Sequence, residues 1–209
     1  MRRTATTGNA ILGLLALRPA WPTYALAKQL RRNMRFFWPR AESRIYDEAK
    51  RLVARGHATA TRETAGGRAR TTYAITRAGR RALQRWLATA PRPTTLECEP
   101  LLRVFLADYS TPDQLRTALA QVRADADAIL DVGRVVGAEY LAGTAPFQDQ
   151  VHVRALVFDF LWHHATMLRA WADRAETTLA SWDGAAEADR ATAAVARISE
   201  ILHGDTPQV

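Results

Sequence analysis

Cysteine, long apolar runs and acidic residues in the first half are all scarce in this sequence. The one cysteine, Cys98, excludes an intrachain disulfide, so the reducing cytoplasm is the expected location. The apolar run from Ala10 to Leu17 is stopped by Arg18, and no stretch approaches the length that a membrane-spanning helix needs. We therefore expect no membrane partner.

Catalytic signatures are missing as well. The sequence has no glycine-rich phosphate loop, no nucleophile elbow and no zinc-finger spacing. His152, Asp159 and His163 are spaced so that they share one part of a helix, which suggests a metal site. One helix rarely supplies a whole ligand set, however, and no second carboxylate or cysteine converges there in sequence. We predict a protein that is not an enzyme and that holds no cofactor and no metal.

Charge is distributed unevenly along the chain. Residues 1–90 carry 19 Lys and Arg against 4 Asp and Glu, a net charge of +15, whereas residues 91–209 carry 10 against 17, a net charge of −7. Solubilising charge spread over an Arg- and Ala-rich chain would explain the many arginines but not their segregation. An acidic membrane surface is a second alternative, but the arginines do not follow one amphipathic helix. The first half is thus predicted to bind a polyanion.

Apolar periodicity predicts four helices and a hairpin in the first 92 residues. The predicted helices are Asn9–Leu17, Tyr24–Arg32, 41–55 and Arg77–Thr89. Thr23 and Thr76 are predicted to cap the second and fourth helices. Two β-branched runs, residues 57–62 and 71–76, flank Gly66-Gly67 and read as a hairpin whose tip is charged by Arg62, Arg68 and Arg70. The order of these elements is that of a winged helix-turn-helix.

The third predicted helix has two different faces. Ile45, Ala49, Leu52 and Val53 fall on one side at helical spacing, and Gly56 ends the helix. The opposite side carries polar and basic residues: Arg40, Ser43, Asp47, Lys50 and Arg51, with Arg44 at its edge. A helix of this kind fits the major groove of duplex DNA, and the arginines of a wing reach flanking phosphates or the minor groove.

Residues 93–209 are predicted to be almost entirely helical, after a linker marked by Pro91 and Pro93. The predicted segments are Pro100–Tyr109, Pro112–Tyr140, Phe147–Trp182 and 185–203, the last being a separate helix or a kinked continuation. The segment from Phe147 to Trp171 has more apolar residues than one face of a lone helix buries, which favours a homodimer. An intramolecular three-helix bundle is the alternative. The fold class is thus mostly α with a small β-hairpin: a DNA-binding region at 1–92 and a long-helix dimerisation region at 93–209.

The first region resembles the PadR family of transcriptional regulators. The matching stretches are Ala10–Leu17, Pro22–Leu30, Ser43–Tyr46, Leu52–His57, Gly67–Thr76 and Ala78-Gly79. The long helical remainder looks like the branch whose C-terminal region resembles that of the virulence activator AphA. The sequence departs from the family pattern at Pro22-Thr23-Tyr24, where a glycine usually precedes the aromatic residue.

This resemblance implies a homodimer that binds a palindromic operator in double-stranded DNA, often as a repressor. It implies that Ser43, Arg44, Tyr46 and Lys50 lie on the recognition helix and that Arg68 and Arg70 serve the wing. From the residues themselves, Arg44 and Lys50 would reach base edges or phosphates. Tyr46, which points sideways, is either a phosphate contact or an aromatic at the edge of the core.

Two questions stay open on the sequence. Several residues are candidates for the lining of a pocket that takes a small hydrophobic or aromatic effector: Trp38, Phe158, Trp162, Met167 and Trp171. Such residues equally form plain core. The alternative function is a non-specific architectural or replication-associated winged-helix protein, which would bind DNA without an operator.

Overall fold

The computed structural model describes residues 3–39, 42–65 and 68–204. The chain divides into two compact units, Met1–Thr95 and Leu96–Val209. Within the described residues it is mostly helical, with one small antiparallel sheet, which confirms the predicted fold class. None of the helices described there combines the length and apolar composition that crossing a bilayer requires.

The first unit contains α1 (Arg3–Leu17), β1 (Trp21–Pro22), α2 (Thr23–Met34), α3 (Glu42–Ala54), β2 (Ala58–Ala65), β3 (Arg68–Ile75) and α4 (Arg77–Leu87). The second contains α5 (Glu99–Phe105), α6 (Pro112–Leu141), α7 (Val151–Ala180) and α8 (Glu187–His203). Two short 3₁₀ turns, Ala107–Tyr109 and Gln148–Gln150, precede α6 and α7.

Helix α1 begins six residues earlier than its predicted start at Asn9. The added turns contain threonine, alanine and glycine, which carry no apolar period. Burial accounts for them instead: Thr7 is buried, and its Oγ1 accepts a bond of 3.4 Å from Trp38 Nε1. Farther along, Ile11, Leu12 and Leu15 form the centre of the unit's core.

The segment predicted as a simple break after α1 contains a strand. In β1, Trp21 pairs with Tyr73 and Pro22 with Thr72, so the hairpin becomes a three-stranded sheet of order β1-β3-β2. The predicted cap at Thr23 is wrong. Pro22 occupies the N-cap position of α2, and the Thr23 hydroxyl instead donates to the Thr71 carbonyl at 2.9 Å, which ties α2 to β3.

The end of α3 and the start of α4 are joined by a hydrogen bond, although β2 and β3 separate them in sequence. Gly56 has φ of 69°, its N–H donates to Val53 O, and the His57 N–H donates to Leu52 O, so glycine ends α3 as predicted. Thr76 caps α4 as predicted, accepting from Gly79 N–H, and its hydroxyl donates to Gly56 O at 2.7 Å. A Cβ on Gly79 would lie 2.0 Å from His57 O, so only glycine permits this close approach.

Helices α6 and α7 form the core of the second unit. Leu115, Leu119 and Leu179 are buried together, and Trp171 and Trp182 pack against them. Ion pairs connect α6 with α7 and with the turn that follows α7, in antiparallel order: Arg116–Asp183, Arg123–Asp173 and Arg169–Asp127. The predicted start of α6 is confirmed, because Thr111 and Gln114 form a reciprocal capping box.

The start of α7 differs from the prediction, and the structure decides between the two alternatives left open for the last helix. The predicted helix from Phe147 instead begins at Val151, because Phe147 has φ of 62° and cannot be part of a right-handed helix. The last helix, α8, is separate and not a continuation of α7. Gly184, with φ of 74°, lies in the turn between them.

Candidate nucleic-acid interface

Helix α3 separates a buried side from a charged side, as its periodicity predicts. Ile45, Ala49 and Leu52 are almost completely buried, at 4%, 1% and 2% exposure. Arg44 and Lys50 are exposed, as is Asp47 between them in sequence. The helix is therefore anchored through aliphatic side chains and presents two cations and one carboxylate to solvent.

The one ion pair among these three residues is weak. Lys50 Nζ lies 3.8 Å from Asp47 Oδ1, with side chains 72% and 62% exposed. Exposed pairs of this kind contribute little, because water screens them and two flexible side chains must be held in place. Lys50 is thus able to leave this carboxylate and bind a phosphate. Asp47 is likewise able to leave Lys50 and accept a hydrogen bond from a donor on a base edge.

A buried carboxylate lies within the same helix. Glu48 is 1% exposed; its Oε2 accepts from Arg51 Nη1 at 3.2 Å, and its Oε1 lies 3.8 Å from Arg55 Nη1. The space for it comes from α1, where a Cβ on Gly8 would lie 2.8 Å from Glu48 Oε1. Glu48 therefore pairs with both Arg51 and Arg55. Arg51 was predicted as part of the outer face of the helix.

The sequence contains a signal for this buried carboxylate, which the prediction of two helix faces missed. Glu48 follows Ile45 by three positions and precedes Leu52 by four, which places it on the buried stripe of α3. A carboxylate there requires cations within reach, because burying an unpaired charge is expensive.

The other predicted residues of this helix are placed as follows. Tyr46 is partly buried, between the core side and the exposed side of α3. Ser43 lies in α3, but its side chain is outside the described part of the structure, and Arg40 lies outside the described residues altogether. Among the described side chains, Arg44 and Lys50 are thus the predicted contacts that face solvent.

The wing differs from the prediction in where its arginines lie. They were expected in the turn, but the strands are longer, so Arg62 is in β2 and Arg68 and Arg70 are in β3. Cross-strand pairing places Arg62 opposite Thr71, Glu63 opposite Arg70 and Ala65 opposite Arg68. Since successive strand residues alternate faces, Arg62 and Arg70 project from opposite sides of the ribbon, and both are exposed. The longer ribbon arises because pairing extends along Thr- and Ala-rich sequence.

The five candidate effector residues lie in different surroundings. Trp38 belongs to the first unit and the other four to the second. Phe158 and Trp162 stack with ring centroids 5.8 Å apart, beside Gly133 and Gly137 of α6. Trp171 packs on the leucine cluster instead, and Met167 is 51% exposed. Of the four candidates in the second unit, Phe158 and Trp162 are the two whose rings stack on each other.

Glycine on α6 explains where that aromatic pair sits. A Cβ on Gly133 would lie 3.1 Å from Trp162 Cε3, and one on Gly137 would lie 3.5 Å from Phe158 Cζ. The two glycines, four residues apart on one helix face, leave room for the rings to approach the α6 backbone. A side chain at Gly133 would require the Trp162 ring to shift by a few tenths of an ångström.

Comparison with known proteins agrees with this geometry. Residues 11–85 match the Transcriptional regulator PadR-like family, while comparison with curated sequences found no match. A PadR-like transcriptional regulator from Bacillus cereus has a similar structure, with a TM-score of 0.70 at 16% identity over 84% of this chain and 98% of that one. The Vibrio cholerae virulence activator AphA has a TM-score of 0.65 at 20% identity over 84% and 98%.

Bacillus subtilis PadR is similar in two complexes. Its structure with operator DNA has a TM-score of 0.68 at 21% identity, covering 82% of this chain and 98% of PadR. Its structure with p-coumaric acid has a TM-score of 0.63 at 20% identity, covering 86% and 98%. The predicted resemblance is thus confirmed: residues 11–85 match the PadR-like family, and the chain has a fold similar to that of PadR-like transcriptional regulators and of AphA.

Proposed function

We propose that this protein represses transcription as a homodimer bound to a palindromic operator. The observation that carries the proposal is the exposed Arg44, Asp47 and Lys50 on a helix whose opposite side is buried. The similar B. subtilis PadR has been solved in complex with operator DNA. An anchored helix with solvent-exposed polar side chains is what base readout in the major groove requires.

The contacts are assigned by side-chain chemistry. Arg44 reads a guanine through its two-pronged guanidinium, and Asp47 accepts from a cytosine amino group. Lys50 binds a phosphate or a base edge, and Arg40, Ser43 and Tyr46 add contacts along the same helix. Arg68 and Arg70 bind phosphates beside the site, which raises affinity for any sequence without reading it.

The homodimer is proposed from apolar surface in the second unit. On α7, Val153, Leu156 and Phe160 are 50%, 73% and 62% exposed, and α8 exposes Ile201 and Leu202 to a similar degree. Exposed apolar surface on this scale marks an interaction site. A second copy that buries it about a two-fold axis would set two α3 helices about 34 Å apart, one turn of DNA.

Release by an effector is the last element of the proposal. The stacked Phe158 and Trp162 beside the α6 glycines form an apolar surface for a small hydrophobic or aromatic molecule, and the similar B. subtilis PadR has been solved with p-coumaric acid. A molecule that binds better to a dimer with a different helix spacing would shift the population away from DNA.

Selection of bound fragments from random duplex DNA, followed by competition, tests this function. We expect an enriched palindrome whose half-sites are one helical turn apart and which binds at least ~10³-fold more tightly than random duplex. Sedimentation should show one dimer per site. Equal affinity for all sequences would instead identify an architectural DNA-binding protein, and a monomer on an asymmetric site would contradict the dimer.

A further inference from the structure

Helix α4 has two different sides, and its exposed side is rich in arginine. The helix packs on α1, and the residues on its inner side are buried or partly buried: Ala78, Gly79, Ala82, Leu83 and Trp86. The outer side carries four exposed arginines within nine residues: Arg77, Arg80, Arg81 and Arg85. At roughly 100° per residue these four fall within an arc of about 140°. They therefore form one surface, the α4 arginine face.

The α4 arginine face has no anionic partner among the residues that the structure describes. None of its four side chains makes a hydrogen bond, an ion pair or a ring contact there. Helix α4 contains no acidic residue, and residues 64–96 combine seven arginines with no carboxylate. In the same unit Arg51 and Arg55, by contrast, pair with Glu48. The positive charge on α4 is thus not neutralised by its surroundings.

This arrangement of arginines is unfavourable for the helix. Arg81 follows Arg77 by four positions and precedes Arg85 by four, and like charges at that spacing destabilise a helix. Arg77 is the first residue of α4 and Arg80 the fourth, close to the helix end that favours negative charge. Anions bound along the face would relieve both repulsions.

The spacing and composition of the face favour a row of phosphates over an acidic protein surface. Arg77, Arg81 and Arg85 follow one another at about 6 Å along the helix axis. Each guanidinium is able to bind a phosphate through two parallel hydrogen bonds. The centre of a protein interface is instead depleted of charged residues, and the large exposed apolar residue of α4 is Leu87, at its last position.

An acidic membrane surface does not fit this helix. A helix that lies on a membrane inserts its apolar side between the lipid headgroups. The apolar side of α4 includes Leu83 and Trp86, and it is already partly buried within the unit. The exposed part of α4 thus offers arginines without an apolar surface to insert.

We propose that the α4 arginine face binds the phosphate backbone of duplex DNA, as a second surface besides α3 and the wing. It adds affinity for any sequence and does not read bases. This binding rests on the proposed function in one respect, namely that the partner is DNA. It requires neither an operator nor repression, and a protein that binds DNA without sequence preference would use the face in the same way.

Titration of random duplex DNA with the full chain at several salt concentrations tests the α4 contact. The variant Arg81→Gln with Arg85→Gln should reduce the slope of log affinity against log salt by about 1.8, because each phosphate contact contributes about 0.9. Binding to operator and random duplex should weaken alike, with base preference unchanged. The pair Arg77→Gln with Arg80→Gln should have the same effect, which gives a second and independent measurement.

Two control variants separate a phosphate contact from a change in net charge. Arg103→Gln with Arg134→Gln removes the same charge, but from exposed arginines that pair with Glu99 and Asp131, so the slope should stay at the wild-type value. Substituting lysine at positions 81 and 85 should keep most of the slope, because lysine binds phosphate as a point charge. All of these side chains are exposed, so the melting temperature should not fall.

Three outcomes would overturn the α4 contact. The first is a wild-type slope in both glutamine pairs on α4, and the second is an equal decrease in the charge-matched control. The third is a wild-type slope combined with weaker dimerisation in sedimentation, which would identify carboxylates of a second copy as the partner.

The same titrations separate this contact from the proposed function. A reduced slope in a protein that binds all sequences equally would support the α4 contact and contradict operator recognition. A wild-type slope in the α4 variants, with operator preference intact, would contradict the α4 contact alone.

Discussion

The two units use arginine in different ways. In Leu96–Val209, six of the nine arginines pair with carboxylates: Arg103, Arg116, Arg123, Arg134, Arg169 and Arg197. In Met1–Thr95, twenty Lys and Arg share four acidic residues, and one of these, Glu48, is on the buried side of α3. Carboxylates thus pair with most arginines of the second unit, whereas the first unit has too few carboxylates to pair with most of its cations.

The first unit itself contains both uses within one helix. Arg51 and Arg55 are held by Glu48, while Arg44 projects to solvent from the preceding turns. Whether an arginine is paired thus depends on the number of carboxylates close to it, and not on its being an arginine. Substitutions in the two units are therefore expected to have different effects on stability and on DNA binding.

Truncating the core of the second unit should have the largest effect. Leu119→Ala removes a side chain that is 4% exposed from the cluster of Leu115 and Leu179, so we expect a loss of ~2–5 kcal/mol in unfolding free energy. Urea denaturation at fixed protein concentration measures it. The matched control is Leu141→Ala, where leucine is 93% exposed and the change should stay within ~0.5 kcal/mol.

Arg44→Ala should weaken operator binding by ~1–3 kcal/mol and relax preference at one base pair, without lowering the melting temperature. The reason is that Arg44 is exposed on α3 and does not belong to its buried side. Binding titrations on the operator and its single-base variants measure both effects. Arg134→Ala, which removes an exposed charge paired with Asp131 in the second unit, should change neither. Unaltered affinity and preference in Arg44→Ala would mean that α3 meets DNA by another side.

Arg70→Ala should weaken binding to all sequences alike. Arg70 is an exposed strand residue opposite Glu63, which suits a phosphate contact outside the reading helix. Loss of one phosphate contact reduces the slope of log affinity against log salt by about 0.9. Titrations at several salt concentrations, on operator and random duplex, give that slope. A change confined to the operator would identify Arg70 as a base contact instead.

Glu48→Gln should raise affinity for random duplex DNA a few-fold at low salt. The amide keeps the shape that fits beside Gly8 but removes the negative charge that holds Arg51 and Arg55. Two half-exposed guanidiniums then become available to phosphates, so the salt dependence should become steeper. Glu48→Asp, which keeps the charge on a shorter side chain, is the control. Weaker non-specific binding in Glu48→Gln would show that Glu48 positions these arginines for DNA.

Local patterns in the chain were sufficient to predict much of this molecule. The spacing of Ile45, Ala49 and Leu52 predicted both the existence of α3 and the side that faces solvent, and the signals at Gly56 and Thr76 marked helix ends that the structure confirms. These predictions succeed because the responsible contacts lie within a few residues of each other.

Other features depended on neighbours that are remote in sequence. Strand β1 has two residues and exists because β3 offers an edge; the first turns of α1 are helical because Thr7 meets Trp38. Glu48 is tolerated because Gly8, forty positions away, leaves space for its carboxylate. The local spacing of apolar residues does not indicate such contacts, because the two partners lie far apart in sequence.

The sequence by itself determined where charge accumulates, which residues form helices and where most helices stop, because periodicity and capping act over one or two turns. Only the tertiary structure decided which arginines are neutralised and which glycines are obligatory. The physical reason is that an ion pair or a close backbone approach depends on distance in space, which helix packing sets and linear spacing does not.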